Sequence, residues 1–458
     1  MALTMQDVLR LCLAFFTLVL STHAVLEDRG NEGLGMVKQL RILNKFHVRK
    51  TSQKEVAGVF DCPDNCPQPA YDYSISKMTK SSNAGRTGIS EEEDLELERQ
   101  LRVLNKPPTK TFITKEGDIL DCVNIYKQPA FDHPLLKNHK IQLKPSYFPR
   151  RDAKETSSGA KQLHIKLKGK KCPLGTVLIR RTSKEDLIRA KSFSRKFSTS
   201  FAPPTPSFPG QHRVSIKIDH SNPLRGVSAN INIYNPPVKG GQFSTAQLWV
   251  QNGPYDYLNN IQAGWMVNPD LYQDNRTRLF TFWTNDGYHK KGCFNTLCEG
   301  FIQLARDIEP SSILSPVSVY GGQQYVIKVS LHQDNITGNW FLSVTDENKV
   351  VGYWPGGIFP NLGKGASSVV WGALAKASAD GISPPMGSGH FPFDDYNHSS
   401  FFKNMKYVDP FYEETDPGWP GQKEFRDNTK CYDIKNDKYL KGGWGNTFRF
   451  GGPGGNCG

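Results

Sequence analysis

From His212 onward apolar and polar residues alternate with a period of two. The runs His212–Ile218, Ser228–Tyr234, Gln247–Gln251, Tyr325–Leu331, Trp340–Val344 and Ser367–Ala373 each predict a strand with one face in a core. Ile261, Ala263 and Trp265 alternate in the same way, and so do Leu279 to Thr284. Turn signals such as Asn252-Gly253, Asp286-Gly287 and Asp380-Gly381 punctuate these runs. Many short strands with little helix predict a mainly β fold, an antiparallel β-sandwich of two facing sheets over residues 212–458.

The preceding half reads differently. Ser90 followed by Glu93 makes a capping box, and Leu97, Leu101 and Leu104 share one helical face, so a helix is expected over Glu91–Leu104. Ser183 with Asp186 three residues on opens a second helix candidate reaching Phe193. Phe201 to Gly210 holds four prolines and predicts a linker over 201–211. Leu9 to Leu20 is an apolar run followed by Thr22-His23-Ala24, which predicts a signal peptide over 1–24; the run is too short to span a membrane. No later apolar run is long enough for a membrane span either. An internal repeat relates Leu40–Lys45 to Leu101–Lys106 and Asp61–Asp72 to Asp121–Asp132, which points to one duplicated module: a degenerate copy over 25–80 and a fuller one over 81–200. Arg180-Arg181 and Arg195-Lys196 are candidate processing sites on this basic segment.

Charge separates the halves. Residues 209–458 contain 22 basic and 22 acidic residues, so the formal +13 lies wholly in residues 1–208. In an exported chain that excess fits a solvated surface or an anionic wall polymer better than nucleic acid. Removing Cys12 with the signal leaves eight cysteines, an even count that favours disulfides over metal sites. Cys293 and Cys298 are close enough to staple a tight turn. Cys62 and Cys66 lack a second ligand pair at zinc spacing. Neither a metal nor another cofactor is called for. Sequons at Asn275, Asn335 and Asn397 mark surface loops with glycan acceptors.

The stretch Asn259–Leu304, with Ala263-Gly264-Trp265, Thr277–Thr284, Gly292–Asn295 and Cys298–Gln303, closely resembles the neprosin family of plant secreted glutamic endopeptidases. Gly352–Pro355, Met386–Pro392, Cys431–Asp433 and Gly451–Cys457 extend the likeness along residues 212–458, and Asp121–Pro134 is similar to the family's activation-peptide region. The resemblance implies two sheets curved about a substrate cleft, an α+β activation region before them, and secretion to the apoplast or cell wall. It also implies disulfides Cys293–Cys298 and Cys431–Cys457. With those assigned, Cys122–Cys172 and Cys62–Cys66 remain as pairs.

A glutamic peptidase needs two carboxyl-like groups with divergent environments, one to activate water and one to stabilise the oxyanion or protonate the leaving group. The resemblance puts those glutamates at residues 262 and 370, where this chain has Gln262 and Val370. Glutamine alone is tolerable, since an amide can donate to an oxyanion and the related eqolisins pair glutamine with glutamate. Valine neither donates nor accepts. Asp286, Glu299, Asp307 and Glu309 flank the central strands and read as surface carboxylates, while Ser388 and His390 lie too close in sequence for a nucleophile pair. Trp265 and Trp371, near the two substituted positions, are candidates for the cleft wall, where aromatic faces would stack on proline rings. The reading is therefore a secreted pseudoenzyme that binds peptides or proline-rich proteins. The alternative is an active endopeptidase cleaving after proline through other carboxylates; oligomeric state is not legible.

Overall fold

The structure is a computed structural model that describes residues 90–148, 159–163, 171–198, 210–289, 292–345, 349–418 and 420–458. The signal segment 1–24, the first repeat copy 25–80 with Cys62 and Cys66, and linker residues 201–209 lie outside the described residues.

Helix α1 (Glu91–Leu104) starts where Ser90 Oγ accepts the Glu93 amide at 3.2 Å, and its first turn carries four acids at the positive end of the helix dipole. Strands β1 (Pro108–Ile113), β2 (Ile119–Asn124) and β3 (Thr176–Arg180) form an antiparallel sheet in the order β1-β2-β3. The Cys122–Cys172 disulfide ties β2 to the chain entering β3 and sits in a small core with Phe112, Leu120 and Leu178. Helix α2 (Lys184–Ser198) begins with a reciprocal cap: Ser183 Oγ accepts the Asp186 amide and Asp186 accepts the Ser183 amide. Leu187 of α2 packs on Leu97 and Leu104 of α1.

Beyond Gln211 the chain runs strand after strand: β4 (Gln211–Leu224), β5 (Gly226–Asn232), β6 (Phe243–Asn252), β7 (Asn259–Val267), β8 (Arg278–Thr284), β9 (Tyr325–Gln333), β10 (Trp340–Val344), β11 (Lys349–Trp354), β12 (Ala366–Lys376), β13 (Ser400–Val408), β14 (Lys423–Arg426), β15 (Asp433–Leu440) and β16 (Gly445–Gly451). Among the described residues these build a 7-stranded sheet, ordered Cys293–Phe294, β8, β7, β6, β12, β4, β14, and a 10-stranded sheet with the path Ile302–Gln303, β11, β10, β9, β5, β13, β16, β15. Neighbours on both paths are antiparallel. After β7 the chain winds into a short helix, Pro269–Tyr272, because Asn268 Oδ1 caps the Leu271 amide and Pro269 fills the first helical position.

Every second side chain of the two sheets enters a shared core: Val214 and Ile216, Val227, Ala229 and Ile231, Ile327, Val329 and Leu331. Trp265 and Trp371 belong to it. Both are fully buried; the Trp265 indole N–H donates to the Asn232 carbonyl at 2.9 Å and that of Trp371 to the Ser228 carbonyl at 3.0 Å, across the core to β5. At about 200 Å² each they contribute about 5 kcal/mol apiece of transfer free energy. The expectation that they wall a cleft is thus corrected. In a strand, a residue one or three places from an outward-facing position points inward.

The helical region is built onto the sandwich. Lys161–Gln162 pairs in parallel with Tyr325–Val326, Gln128 exchanges two hydrogen bonds with the Gln303 backbone, and the Leu178 amide donates to the Ala305 carbonyl. Arg180 and Arg181, expected as a candidate processing pair, sit at the end of β3 engaged with Asp118 and Asp186 and with Asp121. The side chains of Arg195 and Lys196 lie outside the described residues. Cys293–Cys298 and Cys431–Cys457 are bonded as the resemblance implied, and Asn275, Asn335 and Asn397 are all exposed.

Candidate functional site on the outer face of the 7-stranded sheet

The outward-facing residues of the 7-stranded sheet form rows across the strands. Gln262 on β7 is in register with Phe282 on β8 and Trp249 on β6; Trp249 is in register with Val370 on β12, Val370 with Lys217 on β4, and Lys217 with Lys423 on β14. The sequence Phe282, Gln262, Trp249, Val370, Lys217, Lys423 is therefore one continuous row. Gln262 and Val370 face the same side with only β6 between them, about 10 Å apart along the row.

The next row reads Phe280, Gly264, Gln247, Gly372, Ser215, Phe425. Two glycines flank Gln247, and neither position has room for a side chain. A Cβ on Gly264 would lie 2.1 Å from the Ala246 carbonyl oxygen, and one on Gly372 would lie 2.5 Å from that of Val214. Gln247 Nε2 donates to Gln262 Oε1 at 2.7 Å, and Gln262 Nε2 meets the Tyr288 hydroxyl at 3.4 Å. The Tyr288 ring stacks on Phe282 with centroids 5.8 Å apart. Burial pushes the Tyr288 phenol up, so it stays protonated and able to donate. Among the described residues no carboxylate is bonded to the Gln262 amide.

The face is covered unevenly. Phe193 of α2 lies on the half next to β8, with its ring centroid 5.3 Å from Phe243 and 5.0 Å from Phe294. Beneath α1 and α2 a cavity of about 400 Å³ remains beside Phe282, Tyr288 and the Cys293–Cys298 disulfide. Gln262 lies fully buried. The other half is an open groove of about 670 Å³, with Trp249 and Val370 on its floor and Arg213, Lys217, Asp219 and Phe425 along it. Trp249 is the tryptophan of this face. Its place between Gln262 and Val370 follows from strand register, which no local pattern in the sequence reveals.

Asp219 lines the groove two residues along β4 from Lys217. Burial alone would raise its pKa, but hydrogen bonds and charge from Lys217 and Lys423, at 2.7 and 2.9 Å, outweigh that and hold it below the usual carboxylate range. An ionised, doubly paired carboxylate is a poor proton donor. Of the flanking acids, Asp286 accepts from the Thr284 hydroxyl at 3.1 Å and Asp307 pairs with Lys349 at 2.6 Å. Glu309 is not the surface carboxylate expected: it is buried, accepts the Ser311 hydroxyl at 2.9 Å, and burial pushes its pKa up to about 8. It lies within electrostatic reach of Arg180, Asp118 and Arg278, away from the Gln262 row. His390 stacks on Tyr320, while the Ser388 hydroxyl donates to the His398 carbonyl, so those two residues form no nucleophile pair.

Scytalido-glutamic peptidase, solved with a transition state analog inhibitor, is similar over 53% of this chain and 98% of that chain, at 12% identity and a TM-score of 0.31. SCP-B, a member of the Eqolisin family of peptidases solved with the tripeptide Ala-Ile-His, is similar over the same shares at 10% identity and a TM-score of 0.28. A family model described as Neprosin matches residues 240–453, and one described as Neprosin activation peptide matches residues 111–216. The two matches take in the chain from the β1–β2 hairpin through α2 to the start of β4, and the sandwich from β6 onward, and the chain belongs to the neprosin family.

Proposed function

We propose that this protein is an exported, catalytically inactive member of its family that binds peptides or proline-rich segments in the groove beside Val370, in the apoplast or cell wall. One observation carries the reading: the row joining Gln262 to Val370 contains no carboxylate, and Asp219, which lines the groove, is neutralised by two lysines. Loss of a positioned acid or base removes about 10²–10⁴-fold in rate for each group. Binding does not need either group. Trp249 and Val370 show only their edges, 3% and 7% exposed, and make the groove floor apolar where it stays open beside the helices. The apolar run at residues 9–20 and three exposed sequons support export.

The environment at residue 262 still suits a carboxylate, because Gln247 Nε2 and the Tyr288 hydroxyl can both donate to it. This makes the test direct. A quenched-fluorescent proline-containing peptide is offered to the full chain and to the Gln262→Glu/Val370→Glu variant across pH 2 to 6. Cleavage by the variant alone supports the reading. Cleavage by the unmodified chain overturns it in favour of an active prolyl endopeptidase using other carboxylates.

A further inference from the structure

Arg213 opens β4 on the groove side, alternating with Val214 and Ile216 of the core. Its guanidinium carbon lies 4.2 Å from the centroid of the Phe425 ring, which holds the guanidinium beside the edge strand β14. Asp427 lies within electrostatic reach of it but is hydrogen-bonded to its backbone amide rather than to the guanidinium. Asp219 pairs with Lys217 and Lys423, Glu424 accepts from Arg426 and Asn436, and Asp427 accepts from His212 and from the backbone amide of Arg213 itself. Among the described residues the Arg213 side chain donates no hydrogen bond, and its Nε is buried without a partner. Burial pushes its pKa down, outweighing the attraction of Asp427. Arginine nevertheless remains charged, and a guanidinium stacked on an aromatic ring leaves its N–H edge free for the two parallel hydrogen bonds a carboxylate accepts.

We propose that Arg213 is the anchor for a ligand carboxylate in this groove, so that the peptides bound there carry a free C-terminus or an acidic side chain. The inference rests on the peptide-binding reading above and names its ligand chemistry. The donor sets the class: a planar guanidinium stacked on a ring presents two parallel N–H groups that match the two oxygens of a carboxylate. Geometry sets the length. Arg213 lies four residues along β4 from Lys217, which is in register with Val370, about 13 Å at strand rise. An extended ligand needs about four residues to join its carboxylate at Arg213 to the apolar floor at Val370.

The test measures binding of fluorescent proline-containing hexapeptides to the full chain by anisotropy. One series compares a free C-terminus with the C-terminal amide, and a second, amidated series compares an internal Glu with Gln. A free or side-chain carboxylate should tighten binding about tenfold or more over its neutral counterpart. Arg213→Met should erase that preference, and Arg213→Lys, which keeps charge but loses the planar fork, should restore only part of it. The two series separate the carboxylate's sources. Equal affinity of acid and neutral peptides for the unmodified chain would overturn the assignment of Arg213 while leaving peptide binding intact. Failure of every peptide to bind would overturn both readings. The comparison among ligands on the unmodified chain holds whether or not a variant folds.

Discussion

Asp118 is the joint between the helical region and the sandwich, and Asp118→Asn tests that joint. Its carboxylate accepts from Arg180 Nε at 2.9 Å and from Arg278 Nη1 and Nη2 at 3.0 and 3.4 Å, so one anion is shared by two guanidiniums. The Arg278 side chain is only 2% exposed. Asparagine keeps the size and removes the charge. Arg278 then retains Asp274 at 2.6 Å and the Ser311 carbonyl, and Arg180 retains Asp186 at 3.3 Å. Breaking a buried ion pair costs about 3–5 kcal/mol, and the remaining anions put this case at about 3 kcal/mol. Urea denaturation near neutral pH measures it, with hydrogen exchange in β1–β3 locating the loss. The pH profile provides a second reading. Burial would raise the Asp118 pKa, but Arg278 and Arg180 outweigh it and leave the folded value below the ordinary one. A depressed folded pKa gives stability that is present above the unfolded pKa, about 3.9, and is lost as pH falls through the folded value. The wild type should lose stability below about pH 4 more steeply than Asp118→Asn. A variant within about 1 kcal/mol of wild type, with an unchanged acid profile, would refute the shared-anion account.

Glu309 titrates in the opposite sense. With its folded pKa raised to about 8, its contribution is full below the unfolded value and is lost as pH rises toward 8, at up to about 1.4 kcal/mol per pH unit. Denaturation of Glu309→Gln between pH 5 and 8 should therefore fall less steeply than that of the wild type; parallel profiles would show that Glu309 is already ionised in the fold. Trp371→Phe removes the indole hydrogen bond to Ser228 and leaves a cavity, and should cost about 2–4 kcal/mol by urea denaturation with peptide affinity unchanged. Trp249→Ala should weaken peptide binding several-fold by anisotropy; the reverse pattern for these two tryptophans would reverse the assignment of core and groove.

How much could be read from the chain depended on how far apart the cooperating residues lie. The Glu91–Leu104 helix needed only Ser90, Glu93 and the leucine spacing, all within a few turns, and it forms over those residues. Trp340–Val344, expected as a strand, is a strand over its whole length and is buried on both faces. The tryptophans failed for a reason that was available: Trp265 stands three places from Gln262 and Trp371 one place from Val370, odd steps that a strand sends to opposite faces. Trp249 was out of reach because its neighbours on the outer face come from β7 and β12, joined only by pairing. Glu309 was misread because Arg180, Asp118 and Arg278 converge on it from distant stretches, two of them in a segment whose charge looked merely solvated. Phe193, one apolar residue in that basic run, lands on Phe243 and Phe294 for the same reason.

The proposed exchange of glutamate for valine at 370 bears on more than chemistry. At 262, glutamine occupies a fully buried position without the desolvation penalty of a carboxylate and keeps the bond to Gln247. At 370, an acid would stand on the groove floor in register with Lys217. Valine leaves the floor there without a charge. An anion at 370 would lie about 14 Å from Arg213, one strand over and four residues along. At an effective dielectric of about 20 it would repel a ligand carboxylate there by about 1 kcal/mol, several-fold in affinity. On the proposed reading, valine at 370 therefore also favours a ligand carboxylate in the groove, and the groove is better suited to holding the carboxyl end of a chain than to cutting its middle.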